Sequence, residues 1–236
     1  MEPIAETVEA VDEFGPFTDG DLLQQLRERS EQVEALVPDC LGMTLSSQAH
    51  DVILTLVASS EEIAVLDAVQ YLSGGPCVDS MKSDRVITYP AGDDVLDEEH
   101  WHDFARATAA ASIASTLTLP VLTDGAVTGT INLYAASAHA FDGWHEEIAR
   151  IFDAWAPGAV TNADLTFNTR KAAEQTPGRL REDVNIVVAL GILAQRHSGD
   201  LDEARELLRD AALRAGVRES ELAAAIVEID TDGDAV

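Results

Sequence analysis

Two cysteines, a pair of histidines and several acidic doublets are the residues whose types and spacing first invite a chemical reading. Cys77 follows Gly74-Gly75-Pro76, where glycines free the backbone to turn and proline suits the first turn of a short helix. A thiol at a helix N-terminus has a lowered pKa and can serve redox or covalent chemistry. A lone cysteine is more often a small buried hydrophobe, which is the reading the sequence favours. His100 and His102 flank Trp101, but helix residues two apart point to different sides, and no carboxylate or cysteine stands at ligand spacing in that element. No metal site is expected. Asp93-Asp94 and Glu98-Glu99 read as solvated loop and helix-start charges. The sequence carries no Ser-His-Asp order, phosphate-binding loop or glycine-rich dinucleotide motif, so it does not read as an enzyme.

The elements that must position these residues belong to a chain of 236 residues, 46% hydrophobic, enough for one large domain or two smaller ones. Cys40 and Cys77 are too few for a disulfide framework. No apolar run follows a basic start, so neither a signal peptide nor a spanning helix is expected, and the protein is expected to be cytoplasmic. The net charge is −28, from 43 acidic against 15 basic residues. It is uneven: residues 1–165 hold 29 acidic and 6 basic groups, whereas 179–229 hold 10 and 7. Such acidity serves solubility and opposes the approach of polyanions to the front of the chain.

Residues 1–18, acidic with Pro3 and Pro16, read as a mobile arm. A helix is expected over 19–37, then a hairpin from 41–46 and 52–59, then a helix from Ser60 with Ile63, Leu66, Ala68/Val69 and Leu72 as its stripe. A short strand at 86–89, an acidic loop at 93–99 and a helix over 98–111 follow. Residues 113–122 and 126–135 form the clearest hairpin, turned at Asp124-Gly125. The last front helix opens at Asp142-Gly143, kinks at Pro157-Gly158 and is expected to resume toward residue 171. This order is α+β, an antiparallel sheet flanked by helices.

Within it, Gln70-Tyr71-Leu72-Ser73-Gly74-Gly75-Pro76-Cys77-Val78-Asp79-Ser80, Leu119-Pro120-Val121, Gly129-Thr130-Ile131-Asn132-Leu133-Tyr134 and Ala140-Phe141-Asp142 resemble a GAF domain over residues 19–165. More narrowly, they are similar to the actinobacterial type that precedes an RNA-binding output module. The resemblance implies a pocket over the sheet for a small molecule, or a redox sensor, without naming a ligand or cofactor. Tyr71, Cys77, Tyr89, Trp101 and Phe104 are the candidate lining, although large rings are also ordinary core.

A connector at 166–178 breaks at Gln175-Thr176-Pro177-Gly178, and three helices are expected within 179–229, before an acidic tail at 230–236. Asp200 is the expected N-cap of the second, with Glu203 at N3. Ala189, Gly191-Ile192-Leu193, Arg196-His197, Asp202-Glu203-Ala204, Leu207-Leu208-Arg209, Ala211, Ala223 and Ile226-Val227 resemble an ANTAR domain. That family implies binding to RNA hairpins in nascent transcripts, usually as a homodimer gated by the sensor, so that a terminator does not form.

In the family a basic residue stands where this chain has Leu190, and the stretch before the third helix is short of charge. Arg205, Arg209 and Arg214 each have an acid three or four residues before them, a spacing at which helix side chains meet. Arg179, Arg181, Arg196 and Arg218 are the expected RNA contacts. Residues 186–194 lack any polar side chain, and such a helix is buried on more than one side. Val187, Leu190 and Leu193 are therefore the expected dimer or docking face. The first functional reading is a sensor-controlled antitermination regulator; the alternative is a ligand-sensing protein whose output works by dimerisation or protein contacts without RNA. A clustered arginine patch would favour the first, dispersal or internal pairing the second.

Overall fold

The computed structural model describes residues 20–49, 52–82, 101–163, 182–197 and 199–233. The expected arm at 1–18, strand at 86–89, acidic loop at 93–99 and connector at 166–178 lie outside them. The described chain runs α1 (Gly20–Leu36), β1 (Cys40–Ala49), β2 (Val52–Ala58), α2 (Glu61–Ser73), α3 (Pro76–Lys82), α4 (His102–Ala110), β3 (Ser115–Thr123), β4 (Ala126–Ala135), α5 (His145–Phe152), β5 (Val160–Ala163), α6 (Glu182–His197), α7 (Leu201–Ala215) and α8 (Glu219–Gly233). It is an α+β fold with a five-stranded antiparallel sheet in the order β2-β1-β4-β3-β5.

The β3–β4 hairpin turns at Asp124 and Gly125, whose φ angles of 53° and 82° give the twist that a two-residue hairpin loop needs. Alternation along the strands sorts the two sheet faces. Met43, Leu117, Leu119, Ile131 and Leu133 pack against Val33 of α1, Phe141, and Ile148 and Phe152 of α5. The opposite face carries Thr44, Ser46, Thr55, Thr116, Thr118, Thr130, Asn132 and Tyr134, and it is buried too, with α2 and α3 lying over it.

One expected element is replaced. Instead of resuming beyond Gly158, α5 ends at Asp153 in the left-handed region (φ 54°), and a 3-10 turn over Ala156–Gly158 leads into β5. The backbone N–H of Trp155 donates to the Pro120 carbonyl at 2.8 Å, and a Cβ on Gly158 would come within 2.4 Å of the Trp155 ring. The chain is thereby turned onto the open edge of β3, where β-branched Val160 and Thr161 find backbone partners in Thr118 and Leu117. Strand pairing satisfies their polar backbone, which outweighs local helical compatibility.

The C-terminal helices form as their caps dictate. Asp200 accepts from the N–H groups of Asp202 (2.9 Å) and Glu203 (2.8 Å), and α7 stops at Gly216 with φ 66°. They do not stand apart. Leu190 and Leu193 of α6, Leu208, Ala211 and Ala212 of α7, and Leu222 and Ile226 of α8 share one apolar cluster with Ile63, Leu66 and Val69 of α2 and with Trp101 and Phe104. Helix α7 lies against α2 and β2, and α8 against α2 and α4.

Helix α6 is not buried all round. Leu190 and Leu193 are 4% and 2% exposed whereas Val187 is 67% exposed, so the three expected face residues divide between interior and surface. Leu190 faces a hydrophobic partner, but α7 and α8 of its own chain supply it.

All three tryptophans, Trp101, Trp144 and Trp155, lie ahead of the C-terminal helices. Leu208→Ala in α7, where the side chain is fully buried, is expected to cost about 2–5 kcal/mol. The urea midpoint followed by tryptophan fluorescence is expected to fall together with that followed by helical circular dichroism. An unmoved fluorescence midpoint would mean that the two parts fold independently.

Candidate functional site

Helix α2 is set by Ser60, whose Oγ accepts from the Ile63 N–H at 3.3 Å, with Glu61 and Glu62 in the first turn where acid suits the helix dipole. Its middle carries Asp67, entirely buried. Oδ2 accepts from Thr55 Oγ1 at 2.8 Å and Ser46 Oγ at 3.1 Å. Oδ1 accepts from Asn132 Nδ2 and Tyr134 OH at 3.2 Å each and from Gln70 Nε2 at 3.3 Å. Asn132 also donates to Thr44 Oγ1 (2.9 Å) and accepts from Thr118 Oγ1 (3.0 Å), which ties the central strands β1, β4 and β3 side chain to side chain. Burial pushes the Asp67 carboxyl above the usual range, and the hydroxyl donors, led by Thr55, only partly offset it.

The network has two further arms. Gln70 Oε1 accepts from the Cys77 N–H at 2.9 Å, fixing the start of α3. Gly75 is required there, since a Cβ would stand 2.4 Å from the Gln70 side chain. Tyr71 OH lies 2.7 Å from Thr55 Oγ1 and 3.4 Å from Ser46 Oγ; with both hydroxyls donating to Asp67, the phenol is left to donate to the pair. Burial, followed by the charge of Asp67, pushes the phenol well above its ordinary pKa.

Cys77 Sγ is 3.1 Å from Thr130 Oγ1 and wholly inaccessible. Burial, then the nearby Asp67 charge, pushes its thiol up to about 12. A redox or covalent role for Cys77 is therefore set aside: a helix start of seven residues does not compensate for the lost water. Trp101 donates from Nε1 to Asp79 at 2.8 Å, and it packs with Phe104 in the apolar cluster under α2. The expected pocket residues thus divide: Tyr71 and Cys77 join the polar network, Trp101 and Phe104 the core, and Tyr89 lies outside the described residues.

On its outer side Tyr71 meets the C-terminal helices. The Arg214 guanidinium stands 4.7 Å from the ring centroid, a cation–π distance, and Nη2 donates to the Tyr71 carbonyl at 3.4 Å. Two of the expected RNA contacts are also held across this seam. Arg196 donates to Asp103 at 2.7 Å and to Asp230 at 2.9 Å, and Asp103 also accepts from Ser73 Oγ at 2.7 Å. Arg218 donates to Glu61 at 3.2 Å and pairs with Glu221. Both arginines, expected as RNA contacts, are internally paired. Arg179 and Arg181 lie outside the described residues.

Asp67 escaped the sequence reading and Gln70 entered it only as part of a motif, not as a site residue, although an acid midway along an apolar stripe was the available signal. Glu221, three residues beyond Arg218, was a second. Among the described residues no three of His, Cys, Asp and Glu converge in a way that would hold a metal ion, and no helix is long and apolar enough to cross a membrane. Comparison with family models, curated proteins and solved structures finds no match.

Two expectations follow from the burial of these groups. Because the folded-state pKa of Asp67 is raised, its contribution to stability is full below the unfolded value near 3.8 and is lost as pH rises through the folded one. Wild type is therefore expected to lose stability relative to Asp67→Asn as pH rises from about 4 in urea denaturation. The reverse trend would mean that the hydrogen bonds outweigh burial. Cys77, and Cys40 with its thiol pushed up to about 11 by burial, are expected to resist iodoacetamide in the native chain at mildly alkaline pH and to alkylate together once urea unfolds it; fast native modification of Cys77 would contradict its placement.

Proposed function

We propose that this chain is a ligand-responsive regulator in which a GAF-like front domain controls a C-terminal, ANTAR-like RNA-binding output that acts in transcription antitermination. What supports the reading is the order of the two resemblances, a sensor over residues 19–165 followed by an output module over 179–229; on this reading the pairing of Arg196 with Asp103 and of Arg218 with Glu61 is a gate. The cations that the family resemblance would place on RNA phosphate meet carboxylates of the front domain, so the docked arrangement is the state with output withheld. Partly exposed ion pairs of this kind are worth about 0–1 kcal/mol each. They are weak enough for a polyanion to replace once the helices are released.

The route from sensor to output runs through Tyr71. Its hydroxyl belongs to the Asp67 network and its ring and carbonyl hold Arg214 of α7. A small molecule that reorganises the hydroxyls around Asp67 would move Tyr71 and loosen the grip on α7. The ligand is not named by these residues.

The second reading, an output that works through dimerisation or protein contacts without RNA, is favoured by two observations. Internal pairing of the arginines is one. The other is the burial of Leu190: a side chain at this position packs into the core, where a basic residue would not reach phosphate.

The deciding measurement is fluorescence anisotropy with tandem-hairpin RNA at several salt concentrations, comparing wild type with Asp103→Asn/Glu61→Gln. Gated RNA binding predicts tighter binding by the variant, by up to about thirtyfold for two pairs of at most about 1 kcal/mol each, with affinity falling steeply as salt rises. If neither protein binds at low salt, the output works through protein contacts.

A further inference from the structure

Helix α6 has two unlike sides. Leu190 and Leu193 lie in the cluster shared with α7 and α8, whereas Val187, Val188, Gly191 and Gln195 are exposed. At 3.6 residues per turn those four fall within about 100° of arc, on the side opposite Leu190 and Leu193. From Ile186 to Ala194 the helix has no charged or polar side chain. In a chain of net charge −28 this outward strip is therefore a place where acid does not repel acid.

Gly191 stands at the centre of the strip. Glycine in a helix interior is destabilising relative to alanine, and neither ordinary reason for one applies at this position. Its φ is not positive, and among the described residues a Cβ there would meet nothing within 4 Å. Gly75 and Gly158 differ, since a Cβ on either would stand 2.4 Å from a side chain of its own chain. A bare stretch of helix that its own chain leaves uncovered suits close approach from outside.

The occupant that fits is a second copy of the same strip. With two helices antiparallel about a two-fold axis at the middle of Glu182–His197, Val188 of each lies over Gly191 of the other and Val187 over Ile192. Each valine is a knob set in a hole, repeated by symmetry. Glycine at the crossing lets the axes approach to the short end of helix packing, about 8 Å. This direction opposes the two helix dipoles and separates the first turns, which begin Glu182-Asp183 in both copies. A parallel pair would set acid beside acid.

We infer that this chain self-associates as a two-fold dimer through the outward side of α6. The association needs neither RNA nor release of the C-terminal helices, because the strip faces outward while those helices are docked. One pair of helices is a small interface of the weak, reversible class. Two copies of so acidic a chain repel each other, so the dimer strengthens as salt screens them, the reverse of the effect of salt on RNA binding.

Sedimentation equilibrium of the full chain from about 1 to 300 µM, a range that spans weak complexes, tests this at low and physiological salt. The expected result is a monomer–dimer equilibrium that tightens with salt. Gly191→Gln keeps the net charge, fills the hole and is a better helix former; it is expected to weaken association at least about tenfold while the thermal midpoint holds or rises. Val187→Gln, at a position 67% exposed, is expected to weaken association likewise with native circular dichroism. In the antiparallel pair the two copies of residue 195 stand about 16 Å apart along the axis, so Gln195→Cys is expected not to cross-link to itself on mild oxidation. A monomer throughout that range, association that Gly191→Gln leaves intact, or a Gln195→Cys disulfide overturns the inference. Each of these outcomes leaves the RNA reading where the anisotropy measurement puts it.

Discussion

One carboxylate removed from water, that of Asp67, constrains most of what surrounds it. A buried acid without partners would cost several kcal/mol, and here five donors from β1, β2, β4 and α2 converge on it. The sheet face beneath α2 can be threonine, serine and asparagine because α2 brings the acceptor those groups need. The same helix then has its remaining surface free for an apolar seam. Leu66 and Val69 sit in one cluster with Leu208 and Ala212, so the placement of α7 and α8 is inherited from the placement of α2.

Energy and specificity are divided along that seam. Leucine and alanine contacts supply the stabilisation, since burial of apolar surface yields about 25 cal/mol per Å². The ion pairs add little individually but fix orientation: Arg196, Arg214 and Arg218 each meet a front-domain group, Asp103, Tyr71 and Glu61 respectively. A front domain that carries most of the excess acid, −23 of −28 over residues 1–165, therefore has, on this face, a resident set of cations. Its acidity is a property of the surface and also a means of holding its own C-terminal helices.

Much of the fold was legible because local signals agreed with it. The Asp124-Gly125 turn, the Ser60 and Asp200 caps and the apolar stripes each reported one element by its own chemistry. Strand β5 was not legible, because Val160 and Thr161 become a strand only through the open edge of β3 and the turn that Trp155 and Gly158 make. The polar network was half visible. Tyr71 and Cys77 attract notice by type, whereas Asp67 is one acid among 43 and only the surrounding Thr55, Asn132 and Tyr134 distinguish it. Alternation at Val127, Gly129, Ile131 and Leu133 of β4 conveyed that one face differs from the other, not that both are covered. Pairing of Arg196 with Asp103 spans 93 residues of sequence, beyond any spacing rule.

Among the described residues strand β2 ends the sheet on one side, and its sequence, Val52-Ile53-Leu54-Thr55-Leu56-Val57-Ala58, has no charge, proline or glycine to discourage pairing with another chain. The usual devices that blunt a sheet edge are absent from the strand itself, and α7 lies against it instead. Docking of the C-terminal helices thus has a second consequence: it chaperones an edge. Any state in which those helices leave must either find β2 a new neighbour or be short-lived, which sets a limit on how far and how long such a chain can open.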